Sequence, residues 1–506
     1  MKTKKIRIAA LYAVAAMSMT ACSNDDNITA SGPTNDPDVS YNDGIAQSTG
    51  ILFANQSQLG NGNQEFVFTG KQTIQKGTYT LKGWVYVAKG AELTIEPGTV
   101  IKGDKETKAA LIVERGGKAY LKGTATQPIV MTSEAEAGQR KPGDWGGLII
   151  CGNAKNNQGE QQIEGGPRAK HGGTNDADNS GIFQFIRVEF AGYPFQEDKE
   201  INGVTFGSVG SGTTIDHVQV SYSNDDSFEW FGGSVNCKNL IAYKGWDDDF
   251  DTDNGFSGQV QFGLSIRDPR IADTSQSNGF ESDNNADGSQ VGPYTKAVFS
   301  NITLIGPATQ RNADFQNKAS YINAGTMYPD NNSKLGLYQS AIQIRRSSKL
   351  NVLNSVAVGY PIGVIIDGEK GATPNYAQSN EFQLKNIVLA SCHVVGSDRN
   401  KKYEDQFYNY TTAAYDPTRK SLSNQIFFQW KNTETTEATL SLTDPRGVGQ
   451  NYCPTANSPL LSGASFPNIT NGYLNTTVNY IGAFSGINDT WMDGWTNFDP
   501  QHTAYK

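Results

Sequence analysis

The sequence predicts an all-β protein, specifically a right-handed parallel β-helix with a C-terminal capping region. Three observations lead to this fold class: short apolar runs rich in Val, Ile and Phe, 54 glycines that help to close those runs, and an acidic motif repeated 22 residues later. Short β-branched runs bounded by turn residues are typical of strands. A repeat of this length fits one coil of a solenoid, in which neighbouring coils bury a shared core.

Taken in chain order, five regions are predicted. Residues 1–21 form a lipoprotein signal peptide, and residues 22–48 form a flexible polar tether. An N-terminal cap is expected at 49–80, and the β-helix itself at 81–400. Residues 401–506 are expected to contain the final coils and a C-terminal cap.

The coil repeat is interrupted, and its end is aromatic. Insertions are expected at 155–178, 268–292 and 310–336. The sequence Phe-Phe-Gln-Trp at 427–430 is predicted to be a strand. The sequence Trp-Met-Asp-Gly-Trp at 491–495 is predicted to cover the open end of the solenoid, because an uncovered terminal edge invites pairing with other chains.

The N-terminus predicts export and lipidation. Four basic residues precede an apolar segment at 8–17, which is well short of the ~20 residues that span a membrane. Residues 19–22, Met-Thr-Ala-Cys, resemble a bacterial lipobox, so Cys22 is the predicted lipidation site. The Ser-Asn-Asp-Asp that follows resembles the acidic export signal of surface lipoproteins of Bacteroidota. We therefore expect an outer-membrane lipoprotein exposed at the cell surface; a polar linker facing the periplasm is the alternative.

Charge and cysteine spacing exclude several classes of function. Removing residues 1–21 lowers the formal net charge from −9 to −13. Such an acidic chain disfavours nucleic acid and anionic lipid surfaces, but it suits metal cations, neutral glycans and metal-bridged anions. The remaining cysteines form no CxxC pair, which argues against zinc and leaves their disulfide state open, with buried thiols the simpler interpretation. These cysteines are Cys151, Cys237, Cys392 and Cys453.

The acidic repeat predicts a Ca²⁺ site. The motif reads DDSFEWFGG at 225–233 and DDDFDTDNG at 247–255. If the copies stack on neighbouring coils, their carboxylates lie roughly 4.8 Å apart and repel each other unless a cation or shared protons neutralise them. A third acidic layer could come from 281–284; a solvated turn that caps backbone amides is the alternative. The candidate ligands are Asp225, Asp226, Glu229, Asp247, Asp248, Asp249, Asp251 and Asp253.

Aromatic residues interleave with these acids. Phe228 and Phe250 align in the two copies and are expected to stack in the core. Trp230 and Trp246 are candidate ligand-binding residues, because an exposed indole beside a cation site suits the apolar face of a sugar ring. The alternative for both tryptophans is core filling.

Several segments together resemble a known family. They are GWVYVAKGAELTIEPGTVIKGD, GDWGGLIICGNA, IRVEFAG, the acidic pair and the final WMDGWT. The resemblance, which covers roughly residues 80–306 and the C-terminal end, is to β-helix surface lipoproteins of Bacteroidota. It implies a surface or secreted right-handed β-helix and no settled activity, since most members are uncharacterised.

The function expected from these features is binding of a ligand, most naturally a glycan, at a Ca²⁺-structured acidic and aromatic site. An outer-membrane transporter is a further expected partner, on envelope context alone. The first alternative is a Ca²⁺-assisted polysaccharide lyase or hydrolase, for which Lys244, Arg267, Arg270, Arg345 and Arg346 are the basic candidates. The second alternative is a structural or adhesive surface protein.

Overall fold

Parallel strands stack coil upon coil, which confirms the predicted parallel β-helix. The structure is a computed structural model that describes residues 47–53, 56–196, 199–467, 469 and 472–505. The predicted signal peptide, the lipidation site Cys22 and the tether as far as residue 46 lie outside the described residues. Within the described ranges, no helix has the length and apolarity needed to cross a membrane.

The first sheet takes one strand from each coil, and every strand pairs in parallel with the next. Its alternate residues point into the core or outward. Its 12 strands are Gln47–Ser48, Phe66–Phe68, Trp84–Val87, Ala110–Val113, Gly147–Cys151, Val204–Gly207, Phe228–Phe231, Phe250–Asp253, Phe280–Ser282, Ser340–Ile344, Ile362–Ile366 and Val394–Ser397.

The second sheet is longer, with 16 strands. Its main row is Leu52–Phe53, Gln58–Leu59, Thr78–Leu81, Val100–Gly103, Ile129–Ser133, Gly181–Glu189, Thr214–Ser221, Cys237–Tyr243, Gln259–Ile266, Val298–Ile305, Asn351–Val358, Leu384–Ala390 and Thr433–Thr435. A shorter row beside it contains Lys71–Ile74, Glu92–Ile95 and Lys118–Lys122. Because Lys118–Lys122 and Ile129–Ser133 pair with successive halves of Gly181–Glu189, each long strand corresponds to two short ones joined end to end.

A column of left-handed residues marks the join in the long strands. Each member has a positive φ and stands in register with the member in the next coil. The left-handed conformation is uncommon outside Gly and Asn, so its repetition at one register bends every long strand at the same corner. The column consists of Phe185, His217, Asn239, Phe262, Asn301, Asn354 and Asn386.

The core lies between the sheets and is built from inward-facing apolar side chains. The Phe228 and Phe250 rings stack with centroids 5.9 Å apart, which confirms their predicted place in the core. Phe280 continues the stack at 5.3 Å from Phe250. The four described cysteines are free thiols, and three of them are buried.

The ends of the solenoid differ from the prediction. Parallel pairing already begins at Gln47–Ser48, so residues 49–80 contribute coils and not only a cap. At the other end, residues 427–430 are not a strand, because helix Leu422–Gln429 occupies this segment. The Ser421 side chain caps that helix by accepting a hydrogen bond from Asn424 N at 3.1 Å. Ile426 and Phe427 of the helix enter the core and close the C-terminal end.

The remaining elements are short and decorate the coils. The hairpins are Gln161–Gln162 with Lys170–His171, Pro194–Gln196 with Lys199–Glu200, Phe407–Asn409 with Ala414–Asp416, and Leu442–Thr443 with Cys453–Pro454. The other helices are Thr373–Gln378 and Glu437–Leu440, with 3₁₀ turns at Gln310–Asn312, Gly325–Met327 and Pro459–Leu461.

The C-terminal segment runs back along the outside of the second sheet. Asn301 donates to Tyr480 O at 2.8 Å, Gln219 donates to Asn497 O at 2.6 Å, and the Tyr505 hydroxyl donates to Glu189 at 2.7 Å. Later residues of the segment therefore contact earlier coils. The predicted lid at 491–495 is consequently wrong in position: these residues cover a side of the solenoid and not its open end.

Candidate cation site

Three neighbouring coils bring the acidic motifs together where the chain enters the first sheet. Glu229 pairs with Asp251, and Asp251 pairs with Glu281 of the next coil. The 22-residue register between the first two is the predicted one, and Glu281 supplies the third layer. Since Phe228 and Phe250 face the core, strand alternation directs these three carboxylates outward.

The carboxylates fall into three layers that line one cavity. The first layer is Asp225, Asp226 and Glu229; the second layer is Asp247, Asp248, Asp251 and Asp253; the third layer is Glu281 and Asp283. The cavity has a volume of about 620 Å³. All three expected insertions contribute to its lining, through Glu164, Asp273 and residues 331–334, and Tyr193 and Phe195 line it as well.

Two carboxylate triads within this cavity have the spacing that a single ion needs. One triad is Asp225, Asp226 and Asp247; the other is Asp226, Glu229 and Asp251. Within each triad, one oxygen from each residue lies within 4.8 Å of the others. Because Ca²⁺–oxygen distances are about 2.3–2.6 Å, two ligands of one ion can be separated by at most about 5 Å. Asp226 belongs to both triads and joins the first and second layers.

Burial and mutual repulsion strongly disfavour the ionised state of these groups. Burial and then neighbouring carboxylates raise the pKa of every first-layer carboxyl well above its ordinary value. In the second layer, burial raises the pKa of Asp247 and of Asp253 to about 7. The pKa values of the other two carboxyls in that layer are also raised well above their ordinary range. A bound cation would relieve this repulsion and favour ionisation.

Hydrogen bonds from the protein satisfy only some of the carboxylate oxygens in the cavity. Asp226 Oδ1 accepts a hydrogen bond from Asp248 N at 2.8 Å, which fixes the relative height of the two layers. In contrast, Asp247 Oδ1 and Asp251 Oδ1 are buried and accept no hydrogen bond from the described residues. These two oxygens belong to residues of different triads, so each triad retains an unsatisfied acceptor.

The third layer is neutralised by arginines from the following coil. Arg345 Nε donates to Asp283 at 2.8 Å, and Arg345 also bonds to Glu281. Arg346 Nη1 donates to the other oxygen of Asp283 at 2.9 Å. Arg346 and Ser347 both have positive φ, at 49° and 67°, a conformation that costs free energy for residues with a Cβ. The turn is thus held in an uncommon conformation where it presents both guanidinium groups to the cavity.

Asp249 is not part of the cavity, which corrects its prediction as a cation ligand. Its carboxylate is fully buried and pairs with Arg267 Nη1 at 2.8 Å. Sequence alternation put Asp249 on the same face as Asp251, but the strand begins only at Phe250, and the turn before it breaks the alternation.

Trp230 and Trp246 are also not available to a ligand, because both indoles are fully buried. Trp230 stacks on Phe206 with ring centroids 5.2 Å apart inside the solenoid, and Trp246 packs under Tyr328 outside the second sheet. The core-filling alternative is therefore correct. Tyr193 and Phe195 line the cavity instead. No motif marked them, because they lie far from the acidic repeat in sequence.

Of the five basic candidates named from the sequence, two line the cavity. Lys244 and Arg267 lie near the acidic repeat in sequence but do not line the cavity, whereas Arg345 and Arg346 do. The insertions add Lys334 to the wall. Long-range packing of coils and insertions decides which charges meet, and local spacing does not reveal it.

Comparison with known proteins agrees with the parallel β-helix fold. A sequence profile described as a pectate-lyase-like β-helix domain matches residues 67–435, and the chain belongs to this family. No curated protein matches the chain. A solved structure with detectable likeness is the Dettilon tailspike protein (gp208), with 11% identity, 66% of this chain and 62% of that chain covered, and a TM-score of 0.24. This chain thus spans less than two thirds of the tailspike chain.

Proposed function

We propose that this protein binds Ca²⁺ in the three-layer cavity and uses the bound ion to hold a glycan. The observation that carries the proposal is the pair of carboxylate triads that share Asp226. The strongest charges acting on Asp225, Asp226 and Glu229 are all other carboxylates, so a bound cation would reduce the repulsion within this layer.

The chemistry of the donors selects the ion. Both triads offer carboxylate oxygens only, and hard oxygen donors suit Ca²⁺ and Mg²⁺ better than softer transition metals. Mg²⁺ requires a compact octahedron and gives up water reluctantly, whereas Ca²⁺ accepts irregular sets of six to eight oxygens. The three triad carboxylates leave coordination positions for water or for hydroxyl and carboxylate oxygens of a ligand.

A glycan suits the remainder of the cavity. The floor is acidic, so a neutral or anionic sugar would approach it through the cation. Tyr193 and Phe195 line the cavity and have aromatic rings of the kind that packs against a pyranose; Lys108 Nζ also lies over both rings, at 4.7 Å and 5.5 Å from their centroids. A volume of about 620 Å³ accommodates a short segment of a chain, not an entire polymer.

Ca²⁺ titration tests the proposal. An ion that binds only the folded state at ~100 times its Kd adds about 2.7 kcal/mol of stability. We expect the Tm to rise with Ca²⁺, to rise less with Mg²⁺, and to return to its starting value with EDTA. A glycan array with and without Ca²⁺ then identifies the ligand. A Tm indifferent to both Ca²⁺ and EDTA would contradict the cation site.

A polysaccharide lyase is the second candidate, and the arginines favour it. Arg345 and Arg346 face the same cavity as the carboxylate triads. In Ca²⁺-assisted elimination, the ion neutralises a uronate and a basic side chain removes the proton next to the carboxylate. Incubation with anionic polysaccharides, followed by ultraviolet absorbance of the unsaturated product, separates lyase activity from binding alone.

Attachment to the outer membrane through Cys22 is a proposal with its own test. We expect Cys22→Ala to release the protein from the membrane fraction, because a single cysteine carries the acyl chains. Replacement of Asp25 and Asp26 by Ala should reduce protease accessibility on intact cells if these acids direct surface export. Co-purification of an outer-membrane transporter with the anchored protein would support the proposed partner. Unchanged membrane association of Cys22→Ala would contradict lipidation there.

A further inference from the structure

The acidic turn of the second layer is held by a buried ion pair whose own side chains do not line the cavity. Arg267 and Asp249 side chains are both 0% exposed, and their atoms Nη1 and Oδ1 are 2.8 Å apart. Ser265 Oγ donates to the other oxygen of Asp249. The Arg267 guanidinium also lies over the Tyr338 ring, at 5.2 Å from its centroid.

The same guanidinium reaches the backbone of the turn that presents the second layer. Arg267 Nη1 donates to Asp247 O at 2.6 Å, and Nη2 donates to Trp246 O at 3.4 Å. Asp247 belongs to one carboxylate triad, and the chain continues from this turn into Asp251 of the other. One buried side chain thus fixes the height and direction of the backbone that supplies a ligand to each triad.

A buried ion pair is a weak source of stability, because the cost of removing two charges from water offsets most of their attraction. Its presence therefore calls for another explanation. The first copy of the motif provides a comparison, because register puts Ser227 where the second copy has Asp249, and Lys244 where it has Arg267. Lys244 pairs instead with Asp268 at 3.4 Å, and both side chains are partly exposed. Of these two turns, the second alone has its carbonyls held by a buried guanidinium.

We infer that Arg267 and Asp249 are positioning residues for the cation site, and that they set its affinity by fixing the turn that carries Asp247. This inference rests on the proposed Ca²⁺ binding. The pair itself contacts no ion; it restricts the carbonyl groups of Trp246 and Asp247 and thereby the side chains that follow.

The test replaces the pair while keeping the net charge. Asp249→Asn with Arg267→Met removes one negative and one positive charge, so the long-range attraction for a cation is preserved. We expect the Tm in EDTA to change little and the Kd for Ca²⁺, measured by calorimetry, to rise at least tenfold. The matched control is Asp268→Asn with Lys244→Met, which removes the ion pair made by Lys244, the register equivalent of Arg267, and should leave the Kd unchanged.

Four results would overturn the inference. An unchanged Kd in the double variant, beside wild-type Ca²⁺ binding, shows that the pair does not position the site. An equal loss in the control variant shows a general effect of charge removal. A wild-type protein that binds no Ca²⁺ contradicts the proposed function and removes the inference with it. If the double variant does not fold, Arg267→Lys is measured in its place. Lysine keeps the ion pair with Asp249 but cannot hold the carbonyl groups of both Trp246 and Asp247. Wild-type affinity for Ca²⁺ in Arg267→Lys also overturns the inference.

Discussion

The first and third layers of the cavity both bring carboxylates close together, but they differ in the charges that surround those carboxylates. Each of these layers places carboxylates on one coil of the same sheet, next to the carboxylates of a neighbouring coil. In the third layer, Arg345 and Arg346 from the next coil neutralise Glu281 and Asp283 directly. In the first layer, the strongest neighbouring charges are all further carboxylates. Stacking alone therefore does not define a cation site; what distinguishes the first layer is that the strongest charges acting on it are negative, whereas arginines pair with the third layer.

Removing the countercharge of the third layer should have the largest effect. In Arg345→Met, Glu281 loses its guanidinium partner and Asp283 keeps only Arg346, while Asp283 remains buried and the Glu281 side chain is only 14% exposed. Breaking a buried pair by removing one partner costs about 3–5 kcal/mol. We expect a loss of this size in the free energy of unfolding in urea with EDTA present.

Added Ca²⁺ sharpens that result. With Arg345 removed, the third layer comes to resemble the first, so Ca²⁺ should recover part of the lost stability of Arg345→Met. The control is Arg419→Met, which removes a guanidinium that lies over Phe407 and does not line the cavity. Undiminished stability of Arg345→Met would show that the arginine is not needed as a countercharge.

The stacking of the layers could be predicted from the sequence, and the reason is periodicity. A repeat at one coil length puts equal residues in register, so the pairing of Glu229 with Asp251 follows from the motif alone. The buried position of Trp230 also follows from alternation, since it stands two residues after the core residue Phe228. The expectation of an exposed indole at this position relied on the suitability of indole for sugar binding and neglected the alternation of the strand.

The rest of the site could not be predicted, because it depends on contacts between distant segments. Asp249 leaves the acidic face because a turn precedes the strand, and its partner Arg267 is identified only by packing. The contribution of Glu164 to the wall depends on how an insertion folds over the sheet. Neither contact has a local signal in the sequence.

Asp226 provides the next test, because it is the only residue of the two triads that belongs to both. In Asp226→Asn, the amide oxygen can still accept the hydrogen bond from Asp248 N, but the charge shared by the two triads is lost. We expect the ~2.7 kcal/mol that Ca²⁺ adds at 100 times the wild-type Kd to disappear. Glu281→Gln, the matched change in the third layer, should retain most of it. Equal Ca²⁺ responses in the two variants, measured as Tm shifts, would remove the distinction between the layers.

Counted for one proton and one pH unit, the smallest expected effect is the pH dependence of stability without Ca²⁺. The first-layer carboxyls have raised pKa values in the folded state, so the folded protein retains protons that the unfolded chain releases near pH 4. Their contribution to stability is complete below that pH and is lost as the pH rises toward the folded pKa values. The pKa of buried His171 is lowered to about 3, which opposes this trend, but its effect is complete above about pH 6.5.

The useful interval therefore lies at about pH 7, above the range in which His171 contributes, where Asp247 and Asp253, with pKa values of about 7, also release protons. For each proton that the folded state alone retains, stability should fall by about 1.4 kcal/mol per pH unit. In EDTA, we expect the Tm to decrease over this interval. In saturating Ca²⁺, the ion keeps the carboxylates ionised in the folded state, so the decrease should shrink, and Ca²⁺ binding near pH 6.5 should release protons. Calorimetry in two buffers of different ionisation enthalpy measures that release. A Tm that rises with pH in EDTA would mean that the first layer is already neutralised in the absence of metal, and the contrast with the arginine-paired third layer would then fail.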